Sequence, residues 1–171
     1  MKSVFSLICC AVLCAAPALA QKPAAGAMTD QQFVDLAAQT DMLEAHLGQM
    51  AADQASSQDV KDYAQMLVAD HTSDYQQLGN IAAKANLTVP KGLDDEHNKM
   101  IAPFEKLKGA AFDTRYTHEM IAGHTKAISV YTKEAADAQS PDLKSYASQT
   151  LPTLQKHLDG AKDLAKKGSK K

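Results

Sequence analysis

The chain has 171 residues, of which 45% are hydrophobic and 22% charged, and its formal net charge is −2. The length supports a sizeable core, the composition is that of an ordinary globular protein, and the charge excludes the basic surface that nucleic-acid binding needs. Aromatics are scarce, tryptophan is absent, and Ala, Leu and Met supply most of the apolar surface, which favours helices over sheets.

Residues 1–20 read as a secretory signal peptide. Lys2 gives a positive start, Val4 to Ala16 is an apolar run, and Ala18-Leu19-Ala20 is a small-residue cleavage pattern before Gln21. The run is too short to span a bilayer. A lipid anchor needs a small residue just before a cysteine, but Ile8 precedes Cys9 and Leu13 precedes Cys14. Cys9, Cys10 and Cys14 all lie in this segment, so the mature chain would have no disulfide and no thiolate ligand. The expected destination is the periplasm or the outer membrane's surface, with no transmembrane segment in the mature chain.

Residues 21–28 form a Pro/Ala/Gly linker, 29–166 the folded domain and 167–171 a basic tail. Thr29 and Gln32 form a capping box that opens a first helix running to about Asp53. Ser57 can cap a second helix to about Ala85, with Asn86 suited to the position past its end and Pro90 forbidding continuation. Leu87 to Gly109 is a long connection with a short helix from Asp94 that Pro103 interrupts or ends. A third long helix spans about Ala110 to Ala138. Ser140-Pro141-Asp142 then starts a fourth, which runs to about Lys166 with Pro152 inside it. The predicted fold is all-α: a ferritin-like four-helix bundle whose long crossover, between the second and third long helices, contains a short helix.

Turning each residue by about 100° assigns the inward faces. Phe33, Leu36, Ala37, Leu43, Leu47 and Ala51 share one face of the first helix, and Glu44 falls in its middle. His71 lies near the centre of the second stripe and Asp74 to one side. His124 lies on the face of Phe112, Tyr116, Met120, Ala127 and Tyr131, and His157 on that of Leu143, Ala147, Leu154 and Leu158. Pro152 falls on the far side of the fourth helix, and His46, His97 and His118 face solvent. Asp70 turns to the rim with no assigned partner.

Each long helix thus offers one strong metal ligand to mid-bundle: Glu44, His71, His124 and His157. A carboxylate in an apolar core needs pairing or coordination, and an imidazole needs partners for both nitrogens. Three histidines and a glutamate suit a single zinc, copper, iron or manganese ion. Asp74 and Tyr116 are the expected supporting partners. Met50, Met66 and Met120 could serve copper(I), although helical spacing makes them core filler first. The competing reading is a metal-free polar network that fixes helix register.

Several stretches carry a family resemblance: "FVDLAAQTDMLEAHLGQMA", "VKDYAQMLVADHT", "GAAFDTRYTHEMIAGHTKAISVY" and "TLPTLQKHLDGAKDL". From Gln32 to about Leu164 the chain resembles domain of unknown function 4142, a family of exported bacterial proteins often labelled outer membrane proteins. The family's signatures fall on Asp70-His71, Phe112-Asp113, His124 and Leu151-Pro152 with His157-Leu158. The resemblance implies a ferritin-like bundle and no established activity. A di-iron centre is not implied, because the residues three before His71, His124 and His157 are Val68, Ile121 and Leu154 rather than glutamate.

Three functions compete on these residues. The first is a binding module that holds one transition-metal ion for metal handling or stress protection. The second is a structural protein of the cell envelope that docks an envelope partner. The third is a metal-dependent redox enzyme, which needs an open coordination position and a solvent path. The sequence holds no Gly-rich phosphate loop, nucleophile elbow or H-E-x-x-H pair.

Overall fold

The computed structural model describes residues 28–168. The expected signal peptide, the linker before Met28 and tail residues 169–171 lie outside the described residues. Five helices follow in order: α1 (Asp30–Gln54), α2 (Gln58–Lys84), α3 (Asp95–Ile101), α4 (Ala110–Asp137) and α5 (Pro141–Gly168). Among the described residues there is no strand, and no helix is long and apolar enough to cross a membrane.

Local chemistry sets most boundaries where the sequence puts them. The Thr29 hydroxyl accepts from the Gln32 N–H, and the Gln32 side chain accepts from the Thr29 N–H. Past α2, Asn86 adopts a left-handed φ of 56°. The Leu87 N–H then reaches the Ala82 carbonyl at 2.9 Å and the Asn86 N–H the Ala83 carbonyl at 3.3 Å, a Schellman closure. Asp94 caps α3 through the His97 N–H, and α3 ends two residues before Pro103. Pro152 lies inside α5 with its side chain exposed, as its helical angle predicts.

One boundary has a different cause. Ser57 makes no side-chain cap at the start of α2. Instead Asp113, in the first turn of α4, accepts from the Ser56 N–H (3.0 Å), the Ser56 hydroxyl (2.6 Å) and the Ser57 N–H (2.9 Å). At the other end Asp30 accepts from the Gln139 N–H (2.9 Å) and the Ser140 N–H (2.8 Å), just before α5.

The crossover climbs α1 from start to end. Gln31 clasps the Thr88 backbone, Gln39 holds the Gly92 carbonyl and the Asp94 N–H, and Gln54 holds the Glu105 carbonyl. The Gly109 N–H closes on the Gln54 carbonyl at 2.7 Å. α4 therefore begins beside the α1–α2 turn and descends parallel to α2. The neighbouring pairs, α1–α2, α4–α5, α1–α4 and α2–α5, are then all antiparallel. This is the ferritin-like crossover arrangement predicted from loop lengths.

The apolar core is split in two. One cluster gathers Leu43, Leu47, Leu67, Phe112, Tyr116 and Met120 at the crossover's upper end. The other gathers Phe33, Leu78, Tyr131, Leu143, Tyr146 and Leu154 at the opposite end. Between them lies a layer of buried polar side chains: Asp41, Glu44, His71, His124 and His157. Close helix approach beside this layer relies on Gly48, where a Cβ would meet Val68 Cγ2 at 2.7 Å and the Ala64 carbonyl oxygen at 3.0 Å.

Candidate metal centre

Each long helix delivers one side chain to this layer: Glu44 from α1, His71 from α2, His124 from α4 and His157 from α5. All four are buried. The structure brings together the four residues that helical periodicity had placed inward. His71 Nε2 lies 2.9 Å from Glu44 Oε2, and His124 Nε2 lies 3.3 Å from the same oxygen. His124 Nε2 and His157 Nδ1 are 3.2 Å apart. One nitrogen from each histidine falls within 4.8 Å of those of the other two.

The other face of each ring is held from outside. Asp41 Oδ1 meets His71 Nδ1 at 2.8 Å, the Met120 carbonyl meets His124 Nδ1 at 2.9 Å, and Asp70 Oδ2 meets His157 Nε2 at 2.9 Å. A carbonyl and a carboxylate can only accept, so His124 donates from Nδ1 and His157 from Nε2. The nitrogens left over, His124 Nε2 and His157 Nδ1, point at one another, and His124 Nε2 also faces Glu44. This is the outer support that fixes the tautomer of metal-binding histidines.

Charge follows the same layout. Burial alone would raise the Glu44 carboxyl, but the nearby His124 and His71 imidazoles outweigh it and hold it below its ordinary value. Burial pulls the His71 imidazole down, yet the close Glu44 charge and the bond to Asp41 push it well above its ordinary value. Burial lifts Asp41 to about 7 against its bond to His71, and lowers His157 to about 4 against its bond to Asp70. Without another cation, a proton on His71 compensates the carboxylates on either side of it. Even so, His71 Nε2 and Glu44 Oε2 are not aligned as a hydrogen bond, and both buried atoms stay without a hydrogen-bond partner.

The expected supporting residues sit elsewhere. Asp74 accepts from the Tyr146 hydroxyl at 2.8 Å and forms no hydrogen bond with a histidine. Tyr116 stacks on Phe112 with ring centroids 5.7 Å apart, and its hydroxyl has no hydrogen-bond partner. The residues that do orient histidines are Asp41 and Asp70. Asp41 lies three before Glu44, one turn away on the same helix face, and that spacing was a readable signal. Asp70 does lie at the rim, with its side chain 39% exposed, and it binds His157 from there. His46 and His118 are exposed, and His97 pairs with Asp94 at 2.8 Å. Met50, Met66 and Met120 pack into the upper apolar cluster.

Two openings approach the layer. A cleft of about 320 Å³ between α2 and α5 is lined by Asp70, His71, Asp74 and His157, with Ser73 and Thr153 among its other residues. On the opposite side a crevice of about 90 Å³ between α1, α3 and α4 reaches Glu44 and Met120 and no histidine of the layer. Gly123 borders that crevice, and a Cβ there would stand 3.2 Å from Glu44 Oε1.

Residues 15–164 match the family described as Domain of unknown function (DUF4142). The chain belongs to this family. Among solved structures, the fold of this DUF4142 member is similar to that of CopM in its Cu(II)-bound form. The TM-score is 0.69 at 16% identity, covering 82% of this chain and 97% of that one. The Cu(I)-bound form of CopM gives a TM-score of 0.67 at 13% identity, with 82% and 98% covered. The silver-bound form gives 0.65 at 15% identity, again with 82% and 98% covered. At these identities the likeness is one of fold. Comparison with curated protein sequences finds no significant match.

Proposed function

We propose that this chain is an exported metal-binding protein that holds one transition-metal ion at His71, His124, His157 and Glu44. The observation that carries the reading is the inward set of ring nitrogens, with His124 Nε2 and His157 Nδ1 3.2 Å apart, beside a Glu44 Oε2 without a hydrogen bond. Two ligands at ~2.1 Å from one tetrahedral ion stand about 3.4 Å apart. The closest separations here are 2.9, 3.2 and 3.3 Å. A set of three imidazoles and one carboxylate suits copper(II) and zinc, and manganese or iron less well. The fold's likeness to CopM in copper- and silver-bound forms makes copper the first metal to try. Metal handling or protection from metal stress in the periplasm is the matching role.

The test is elemental analysis of the purified chain after stripping with chelator and reloading. One equivalent of Cu(II) or Zn(II) is expected, and less than a tenth of that in the double variant His71→Ala, His124→Ala. Absence of stoichiometric metal, or equal binding by the double variant, would sink the reading. One observation favours a second reading, an envelope structural protein: the Asp41–His71–Glu44 chain balances charge with protons alone. That reading expects a melting temperature indifferent to chelator and metal.

A further inference from the structure

We infer that the cleft between α2 and α5 is the route by which the cation reaches the histidine layer, with Asp70 as the carboxylate that receives it. This rests on the proposed metal site and adds how the site is reached. The site needs a route: Glu44, His71, His124 and His157 are all buried, and apolar clusters close the bundle above and below them. Among the described residues, two lateral openings lead towards the layer.

They differ in what they offer a hydrated cation. The α2–α5 cleft is the larger, about 320 Å³, and two of the three histidines form its floor. Its walls include two carboxylates one turn apart on α2, Asp70 and Asp74, and uncharged polar groups that can stand in for water as it leaves the ion. The opposite crevice is about 90 Å³ and has Leu43, Leu47 and Met120 in its walls. It carries Glu96 and Glu119 but also Lys126, and it reaches only Glu44 in the layer.

Asp70 spans the boundary between cleft and layer. Its side chain is 39% exposed, while Oδ2 lies 2.9 Å from His157 Nε2. A cation drawn to Asp70 is therefore one imidazole ring away from the inward nitrogen of His157. Asp70 thus both attracts the ion and aims the ring that takes it over.

The experiment is stopped-flow mixing of the chelator-stripped chain with Cu(II), followed by growth of the copper visible absorption band. Ser73 and Thr153 are exposed and line the cleft. Filling it with Ser73→Phe and Thr153→Phe together should slow uptake at least tenfold. A plug raises the barrier in both directions, so release to chelator should slow equally, leaving Kd and the one-to-one stoichiometry unchanged. Lys126→Phe, at the rim of the opposite crevice, should leave both rates within twofold of the parent. Asp70→Asn should slow uptake most at low ionic strength, with the difference shrinking as salt screens the carboxylate. Uptake at the parental rate in the Ser73/Thr153 variant overturns the route, and so does slowing in Lys126→Phe alone. A salt-independent effect of Asp70→Asn overturns its part as receiver. Parent protein that takes up no copper overturns the metal site itself, a result distinct from stoichiometric uptake that ignores the plug.

Discussion

Glu134 is a buried carboxyl that no function yet uses, and its Oε1 has no hydrogen-bond partner. Burial, with Asp30 and Asp137 nearby, raises it from 4.5 to about 7. The sign follows from which state holds the proton. Between pH 4.5 and 7 the folded chain keeps it and the unfolded chain releases it, so this residue's contribution to stability falls as pH rises across that window. Glu134→Gln, uncharged at every pH, should therefore be more stable than the parent at pH 8 by on the order of 1–3 kcal/mol, with the gap closing near pH 4.5. Thermal melts of both proteins across that range check it, and parallel curves would refute it. The histidine layer shows what was legible at this scale. Glu44, His71, His124 and His157 were readable because a 3.6-residue period fixes which way each points. The face of Asp41 is legible from its spacing to Glu44, but which ring nitrogen Asp41 or Asp70 meets depends on rotamers and on distances between helices. Asp74 and Tyr116 had suitable angles, but Tyr146 takes Asp74, and the aromatic stack with Phe112 takes Tyr116.

Among the elements, the two helical hairpins hold each other's turns. Asp113 at the start of α4 caps the α1–α2 turn, and Asp30 at the start of α1 binds the turn before α5. A carboxylate accepting backbone N–H groups at a helix start satisfies otherwise unpaired donors and complements the helix dipole. Each aspartate does so across the bundle rather than within its own helix. Local caps such as Thr29–Gln32, Asn86 and Pro141 were readable because they act within four residues. The Asp113 cap links residues 56 or 57 apart and has no local pattern. Hence Ser57 was expected to cap α2 itself, and the residue that does so stands in the family's Phe112-Asp113 signature. Asp113→Ala should cost about 1–2 kcal/mol, since three donors lose a charged acceptor. The loss should appear as faster hydrogen exchange at residues 56–62, with the α4–α5 turn unaffected. Uniform loss across both turns, or no loss of stability, would contradict a cap that acts locally.

For the molecule as a whole, the polar layer lies where the two hairpins meet. Glu44 and His71 come from the first hairpin, His124 and His157 from the second, and the contacts between α1 and α4 and between α2 and α5 are sparser than those within either hairpin. A cation held by all four would cross-link the halves at their least packed seam. Where both rings are neutral, His124 and His157 face each other with one lone pair each, a clash that a cation removes. Metal should therefore raise the melting temperature, and by mass action. At a free concentration 100 times Kd the added stability is ~2.7 kcal/mol, worth roughly 5–10 °C for a domain of this size. The rise should reverse with chelator and vanish in His71→Ala, His124→Ala. It should also shrink on acidification, since His71 binds its proton well above its ordinary pKa and that proton must leave before the ring can coordinate. Hydrogen exchange would separate a cross-link from adventitious surface binding. A cross-link should protect amides around residues 44, 71, 124 and 157 together, in both hairpins, whereas binding by one hairpin alone protects only its own pair. If calorimetry finds, at each pH between 5 and 8, the same melting curve with metal as with chelator, the layer is held by protons and its role is to set helix register.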